Sequence, residues 1–165
     1  VKYEPLVAPQ SQMQTGMLSA LYDPPVCVVR RTSDQSIANN EIVVINFEAT
    51  ADKEIDTGGM FAAGSPTVLA VQRPGVYLIT ACVVFAASAT GYRYVMIEAK
   101  SAYVARDLRS NLDTTTQALN TMAVVSLASG DTIRLVVRQT SGGALDVLTL
   151  DDYSPRLSAV WLRAS

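Results

Sequence analysis

Residues Gly75 to Ala86 read GVYLITACVVFA, and both of their alternating sets are apolar. The odd set is Tyr77, Ile79, Ala81, Val83 and Phe85; the even set is Val76, Leu78, Thr80, Cys82 and Val84. Successive side chains of a strand point to opposite sides. An antiparallel sheet with one face in water therefore alternates apolar with polar. This stretch does not alternate, so something covers its second face. The chain has 165 residues, enough for one domain with a good-sized core and too few for two. Another copy of the same chain is the cover this length leaves available.

Composition excludes several classes of function. The formal net charge is −2 and no basic run exists to neutralise phosphates, so nucleic acid is not an expected partner. The chain has no histidine, which removes the commonest general base, the commonest metal ligand and every nucleophile–histidine pair. Its two cysteines, Cys27 and Cys82, are too few for a disulfide framework, a zinc site or a redox pair. Both lie in apolar strands, where a free cysteine acts as a small hydrophobe, and no bridge between them is expected. The uncharged run from Pro74 to Tyr92 approaches the length of a membrane span. It is rich in β-branched residues, opens on Pro-Gly and closes on Ser-Ala-Thr-Gly, so it reads as strand and turns. No membrane partner is expected, and VKYEPLVAPQ lacks the basic-then-apolar order of a secretory leader.

Residues 1–25 differ from the rest. Pro5, Pro9, Pro24 and Pro25 favour extended backbone and withhold ladder hydrogen bonds. Met13, Met17 and Leu21 fall at helical spacing, but Gly16 and the short length leave an independent helix marginal. A floppy terminus is the bland reading. The apolar content, Tyr3, Leu6, Met13, Met17 and Leu21 among it, favours an arm that docks on a neighbour.

From Val26 onward strand follows strand with turn chemistry between. The expected strands are 26–31, 41–47, 67–71, 75–86, 92–100, 103–108, 119–127, 132–139, 145–150 and 157–162. Asp56-Thr57-Gly58-Gly59, Ser129-Gly130-Asp131 and Ser141-Gly142-Gly143 read as tight turns. In 132–139, Ile133, Leu135 and Val137 should face in, and Arg134 and Arg138 out. Ten short strands and no defensible helix give an all-β antiparallel sandwich or jelly roll.

Three signposts occur in order: Pro-Gly-Val-Tyr-Leu-Ile at 74–79, Leu127-x-x-Gly130-Asp131 followed by an alternating strand, and LSAVWL close to the C-terminus. Together they resemble the jelly-roll superfamily of tumour necrosis factor and the globular heads of the first complement component. The segment EIDTGGMF, ahead of Ser65-Pro66, is similar to the version of this domain found in bacteriophage virion proteins. The resemblance covers roughly residues 26–163. It implies a ten-stranded Greek-key jelly roll, two sheets of five, assembled as a tight homotrimer. It places Leu78, Thr80, Cys82 and Val84 toward the threefold axis, with Ser158, Val160, Leu162, Asn120, Met122 and Val124 on the same interface. Tyr77, Ile79, Ala81, Val83, Phe85, Leu157, Ala159 and Trp161 would fill the core. The C-terminal strand would separate Cys27 from Cys82, beyond disulfide reach.

Other motifs admit a plainer reading. Asp56-Thr57-Gly58 is the tripeptide of aspartic proteases, but the residues before it are charged and Gly59 suits a turn. Asp151 and Asp152, with Asp146, could ligate calcium as some complement-like heads do. The EF-hand pattern is absent, and paired aspartates before Tyr-Ser-Pro suit a loop cap. No metal or cofactor is expected. Tyr92 and Tyr94 share a strand face with Met96, while Tyr103 and Tyr153 lie near loops. Such rings stack on sugars or anchor proteins, or simply close the ends of a sandwich.

The expected function is a non-enzymatic, trimeric structural and binding protein of a phage virion. The 1–25 arm would fasten residues 26–165 to capsid or tail proteins, and the knob would be free to contact a host-surface glycan or protein. The alternative is a secreted cytokine-like or complement-head-like recognition domain. Against it stand the missing leader, the lack of any N-x-S/T site and the absence of a collagen-like repeat. Nothing in the chain assembles a nucleophile, base and oxyanion site, so no enzyme is expected.

Overall fold

The structure is a computed structural model that describes residues 24–47, 53–110, 114–150 and 155–165. Among them are twelve strands and no helix: β1 (Val26–Arg30), β2 (Gln35–Ile37), β3 (Ile42–Val44), β4 (Lys53–Asp56), β5 (Leu69–Ala70), β6 (Gly75–Phe85), β7 (Tyr92–Ala99), β8 (Ala102–Ser110), β9 (Gln117–Leu127), β10 (Thr132–Gln139), β11 (Leu145–Val147) and β12 (Arg156–Arg163). With no helix among these residues, none is long and apolar enough to cross a membrane. The ten expected strands are all present. The two additional ones, QSI of β2 and KEID of β4, are short and polar and carry no apolar alternation of their own.

Every strand pair is antiparallel, and the strands form two sheets. In the larger, β4, β1, β12, β6 and β9 lie side by side, and β11 and β2 extend the Phe85 end of β6. The smaller runs β3, β10, β7, β8, with β5 on the free end of β10. The larger sheet thus has seven strands rather than five, because β11 and β2 continue it past the end of β12. The chain crosses repeatedly between the sheets, from β6 to β7 and β8, back to β9, over to β10, and back to β11 and β12. That is the Greek-key course of a jelly roll.

Alternation decides what fills the space between the sheets. Tyr77, Ile79, Val83 and Phe85 of β6 meet Ile133, Leu135 and Val137 of β10 and Val95 and Ile97 of β7 in one buried cluster. Leu157, Ala159 and Trp161 join from β12, and Cys27 and Val29 from β1. One end is closed by Trp161. Its indole N–H donates to the Pro74 carbonyl at 3.1 Å, and Arg73 stacks over the ring at 4.5 Å. The Tyr77 hydroxyl donates to the Arg73 carbonyl at 2.7 Å. The hairpin between β7 and β8 turns on Lys100 and Ser101, both at positive φ (53° and 60°), as a two-residue hairpin turn matched to strand twist requires.

Two buried polar side chains hold the turns beside them. Arg93 is fully buried and its guanidinium donates to the carbonyls of Ser88, Thr90 and Tyr92, pinning the turn before its own strand. Gln139, also fully buried, donates to the carbonyls of Ile37 and Gly143 and accepts from the Ser141 N–H.

Candidate functional site

The register of the larger sheet aligns its outward side chains in rows. One runs Ile55, Val28, Ser158, Thr80, Met122 across β4, β1, β12, β6 and β9. The next runs Val26, Val160, Leu78, Val124. Both rows sit on the side away from the core, because Cys27, Val29, Ala159, Leu157, Ile79 and Ala81 point inward and are buried. The outward residues are left uncovered. Met122 is 69% exposed, Val124 63%, Leu162 49% and Ile55 48%. Met122 and Val124 lie on the edge strand β9 and Ile55 on the opposite edge strand β4, so aliphatic groups span the whole width of this face, where the solvated face of an antiparallel sheet is ordinarily polar.

Thr80 is the polar member of this face on β6, and the structure supplies its partner. Its hydroxyl lies 2.6 Å from that of Ser158 on the paired strand. The two hydroxyls satisfy each other in the middle of an otherwise aliphatic surface, which keeps the central row free of a stray donor–acceptor demand.

The face is polarised along the strands. Its Arg30 and Arg156 end carries a charge cluster in which Glu54 Oε1 is 3.2 Å from Arg30 Nε and 3.0 Å from Arg156 Nη2. Cys82 and Asn120 lie beside it, Cys82 paired with both Arg156 and Asn120. The opposite end, around Val26, Leu78, Val124, Val160 and Leu162, is aliphatic.

The structure brings all the sequence-proposed interface residues to this one side: Leu78, Thr80, Cys82 and Val84 from β6, Asn120, Met122 and Val124 from β9, and Ser158, Val160 and Leu162 from β12. Val84 differs in being only 5% exposed, at the end of the face beside Thr116, Ala118 and Leu150. Val26, Val28 and Ile55 belong to the same surface and were not assigned to it from sequence. VCVV in β1 carries the same doubly apolar signal as β6, only shorter; Ile55 sits in a charged run and carries no signal. The arm residues Tyr3, Leu6, Met13, Met17 and Leu21 lie outside the described residues.

The cysteines sit on opposite sides of the larger sheet, with β12 between their strands. Cys27 faces the core. Burial, reinforced by the Asp56 carboxylate, pushes its thiol up to about 12. Cys82 faces outward at intermediate exposure, and its thiol is raised mainly by desolvation, partly opposed by the backbone and charge of Arg156.

The Asp-Thr-Gly segment is a turn. Asp56 accepts the N–H groups of Met60 at 2.8 Å and Phe61 at 3.2 Å, and Lys53 Nζ lies 3.7 Å away. Thr57 Oγ1 accepts the N–H of Val26 at 3.0 Å, and Gly59 takes φ 62°. The carboxylate thus holds the loop that plugs the sandwich with Met60 and Phe61, and it also accepts from the Cys27 thiol. Asp151, Asp152 and Tyr153 lie outside the described residues; among those described, no three Asp, Glu or Cys side chains cluster as a metal site would require.

No protein-family model matches this chain, and no curated protein matches it. Solved structures do. Murine APRIL at pH 5.0 superposes with a TM-score of 0.62 at 18% identity, covering 84% of this chain and 98% of that one. Eiger TNF from S. frugiperda gives 0.61 at 14% identity, covering 86% and 95%. The globular domain of zebrafish complement 1qA gives 0.56 at 16% identity, covering 86% and 99%. At such identities the likeness is one of fold. The chain is an all-β antiparallel jelly roll of the tumour-necrosis-factor and complement-head type. The Asp-Thr-Gly tripeptide that resembled a catalytic motif serves a turn of this fold.

Proposed function

We propose that this chain is a non-enzymatic structural and binding module of a phage virion that works as a homotrimer, its threefold axis running along the exposed face of the larger sheet. The observation that carries the trimer is that uncovered aliphatic face. Its four most exposed side chains together leave on the order of 400 Å² to water, as much as the largest and often functional patch of a typical monomeric protein. Covering that area is worth ~10 kcal/mol per copy at about 25 cal/mol per Å², comparable with the cost of association before the half-buried Leu78, Val28 and Val160 are added. The polarity of the face also selects how copies meet. Antiparallel stacking would lay Arg30 and Arg156 over aliphatic side chains. An axis along the strands keeps charged ends together and aliphatic ends together.

Placement in a virion is supported by the similarity of EIDTGGMF to the phage version of the domain, and by the apolar content of residues 1–25 as an attachment segment to capsid or tail. Particle assembly tests it: a chain lacking residues 1–25 should form the trimer yet fail to join the particle. A truncated chain that still assembled into virions would overturn the attachment role.

A further inference from the structure

We propose that the outward face of the smaller sheet, formed by β3, β10, β7 and β8, binds an acidic polysaccharide. This surface lies on the opposite side of the sandwich from the trimer face, so it stays exposed whether or not the chain self-associates. Register places Ile42, Arg138, Tyr94 and Leu108 in one outward row and Val44, Val136, Met96 and Arg106 in the next. Glu98 pairs with Arg134 and with Tyr103 in a third. Val136 and Met96 point outward yet are only 1% and 7% exposed. The aliphatic centre of the face is therefore buried. What remains for a partner is guanidinium forks and phenol rings, with Tyr92 and Tyr103 about half exposed.

The charge of this face is opposite to that of the chain. Three arginines, Arg106, Arg134 and Arg138, stand against Glu98 alone, whereas the whole chain carries −2. Arg134 is held by Glu98 at 3.0 Å. Arg138 stacks over Tyr94 at 5.6 Å and donates to Asn40. Arg106 is exposed and has no hydrogen bond or ion pair among the described residues. Two strand spacings and two residues along the strands separate Arg138 from Arg106, so they flank Tyr94 and Met96 roughly 12 Å apart at the backbone, a span that a short oligosaccharide covers. Guanidinium groups pair bidentately with carboxylate or sulfate, and the half-exposed rings of Tyr92 and Tyr103 offer a surface to the apolar side of a sugar ring. A neutral glycan would leave the arginines unmatched. A protein partner would find no aliphatic pocket at the centre of the patch, where binding hot spots concentrate.

The proposal deepens the host-contact side of the phage reading but does not depend on the trimer. Calorimetric titration of the full-length chain with a heparin hexasaccharide, a galacturonate hexamer and a dextran hexamer tests it, with the mass of the same sample taken by light scattering. The sulfated or the carboxylated oligosaccharide should bind, more weakly as salt rises, and dextran should not. R106Q and R138Q should each weaken binding about tenfold. R109Q should not, because Arg109 points to the other side of β8 and pairs with Asp107. Absence of binding by both acidic probes, equal binding of dextran, or unchanged binding in R106Q and R138Q would overturn the proposal. A monomeric mass together with binding lost in R106Q would sustain it while sinking the trimer; a trimeric mass with no acidic binding would sink it alone.

Discussion

Replacing Met122 by aspartate separates the fold of the subunit from its assembly. Met122 is 69% exposed and points away from the core on β9, so Met122→Asp costs the isolated subunit almost nothing. In a trimer that covers this face, each copy loses about 2 kcal/mol of methionine burial. Each also acquires a desolvated carboxylate, costing several kcal/mol more. Repeated three times, the penalty reaches on the order of 15 kcal/mol per trimer, or about ten powers of ten in the association constant. Size-exclusion chromatography with light scattering should therefore give one chain mass for M122D, and circular dichroism should still report a folded β protein. Ile42→Asp is the matched control, since Ile42 is 56% exposed on the other sheet. It should keep the wild-type mass. An M122D protein with the wild-type mass and melting temperature would refute the reasoning. Val84→Asp is a poorer probe: Val84 is 5% exposed in the lone subunit, so its failure to fold would say nothing of assembly.

Three further outcomes follow from the interior. Asp56→Ala removes the acceptor of the Met60 and Phe61 N–H groups and should cost about 3 kcal/mol, lowering Tm by roughly 10 °C in a calorimetric scan. Cys27, raised from 9.0 to about 12, stays neutral when folded, so its contribution is intact below pH 9 and is lost between pH 9 and about 12 as unfolded chains ionise first. Urea midpoints should fall over that window in the wild type, and less steeply in Cys27→Ala, where the raised Cys82 and Tyr77 remain. Gly75→Ala would drive a methyl group into the Trp161 indole and the Arg163 carbonyl, costing about 3 kcal/mol; a shift in the emission of Trp161, the sole tryptophan, reads it directly.

The fold was legible wherever one pattern ran long enough to exclude the alternatives. Eleven residues of GVYLITACVVF, apolar on both sides, announced a strand with two covered faces, and the burial of β6 alternates accordingly from Gly75 to Val83. Thr132–Gln139 alternates in burial except at Val136, because the rest of its outward side holds Thr132, Arg134 and Arg138. What could not be read depends on partners distant in sequence. β4 is a strand only because Val28 and Val29 pair with it, which four charged or polar-flanked residues cannot signal. Arg93 reads as a surface residue of a YRYV strand, yet it is wholly buried because three carbonyls of the preceding turn converge on its guanidinium. The satisfaction of Thr80 by Ser158 joins positions 78 residues apart and required the register of β6 against β12. The likeness to tumour-necrosis-factor and complement-head structures was carried by the order of short motifs, with identity no higher than 18% in the three structures compared.

The central claim is that the aliphatic face of the larger sheet is covered by two further copies of the chain. Sedimentation equilibrium of the wild-type protein at micromolar concentration tests it most directly. The account predicts a single species at three times the 17.7 kDa chain mass, about 53 kDa, with no dissociation on dilution. A stable, soluble species at 17.7 kDa would contradict it.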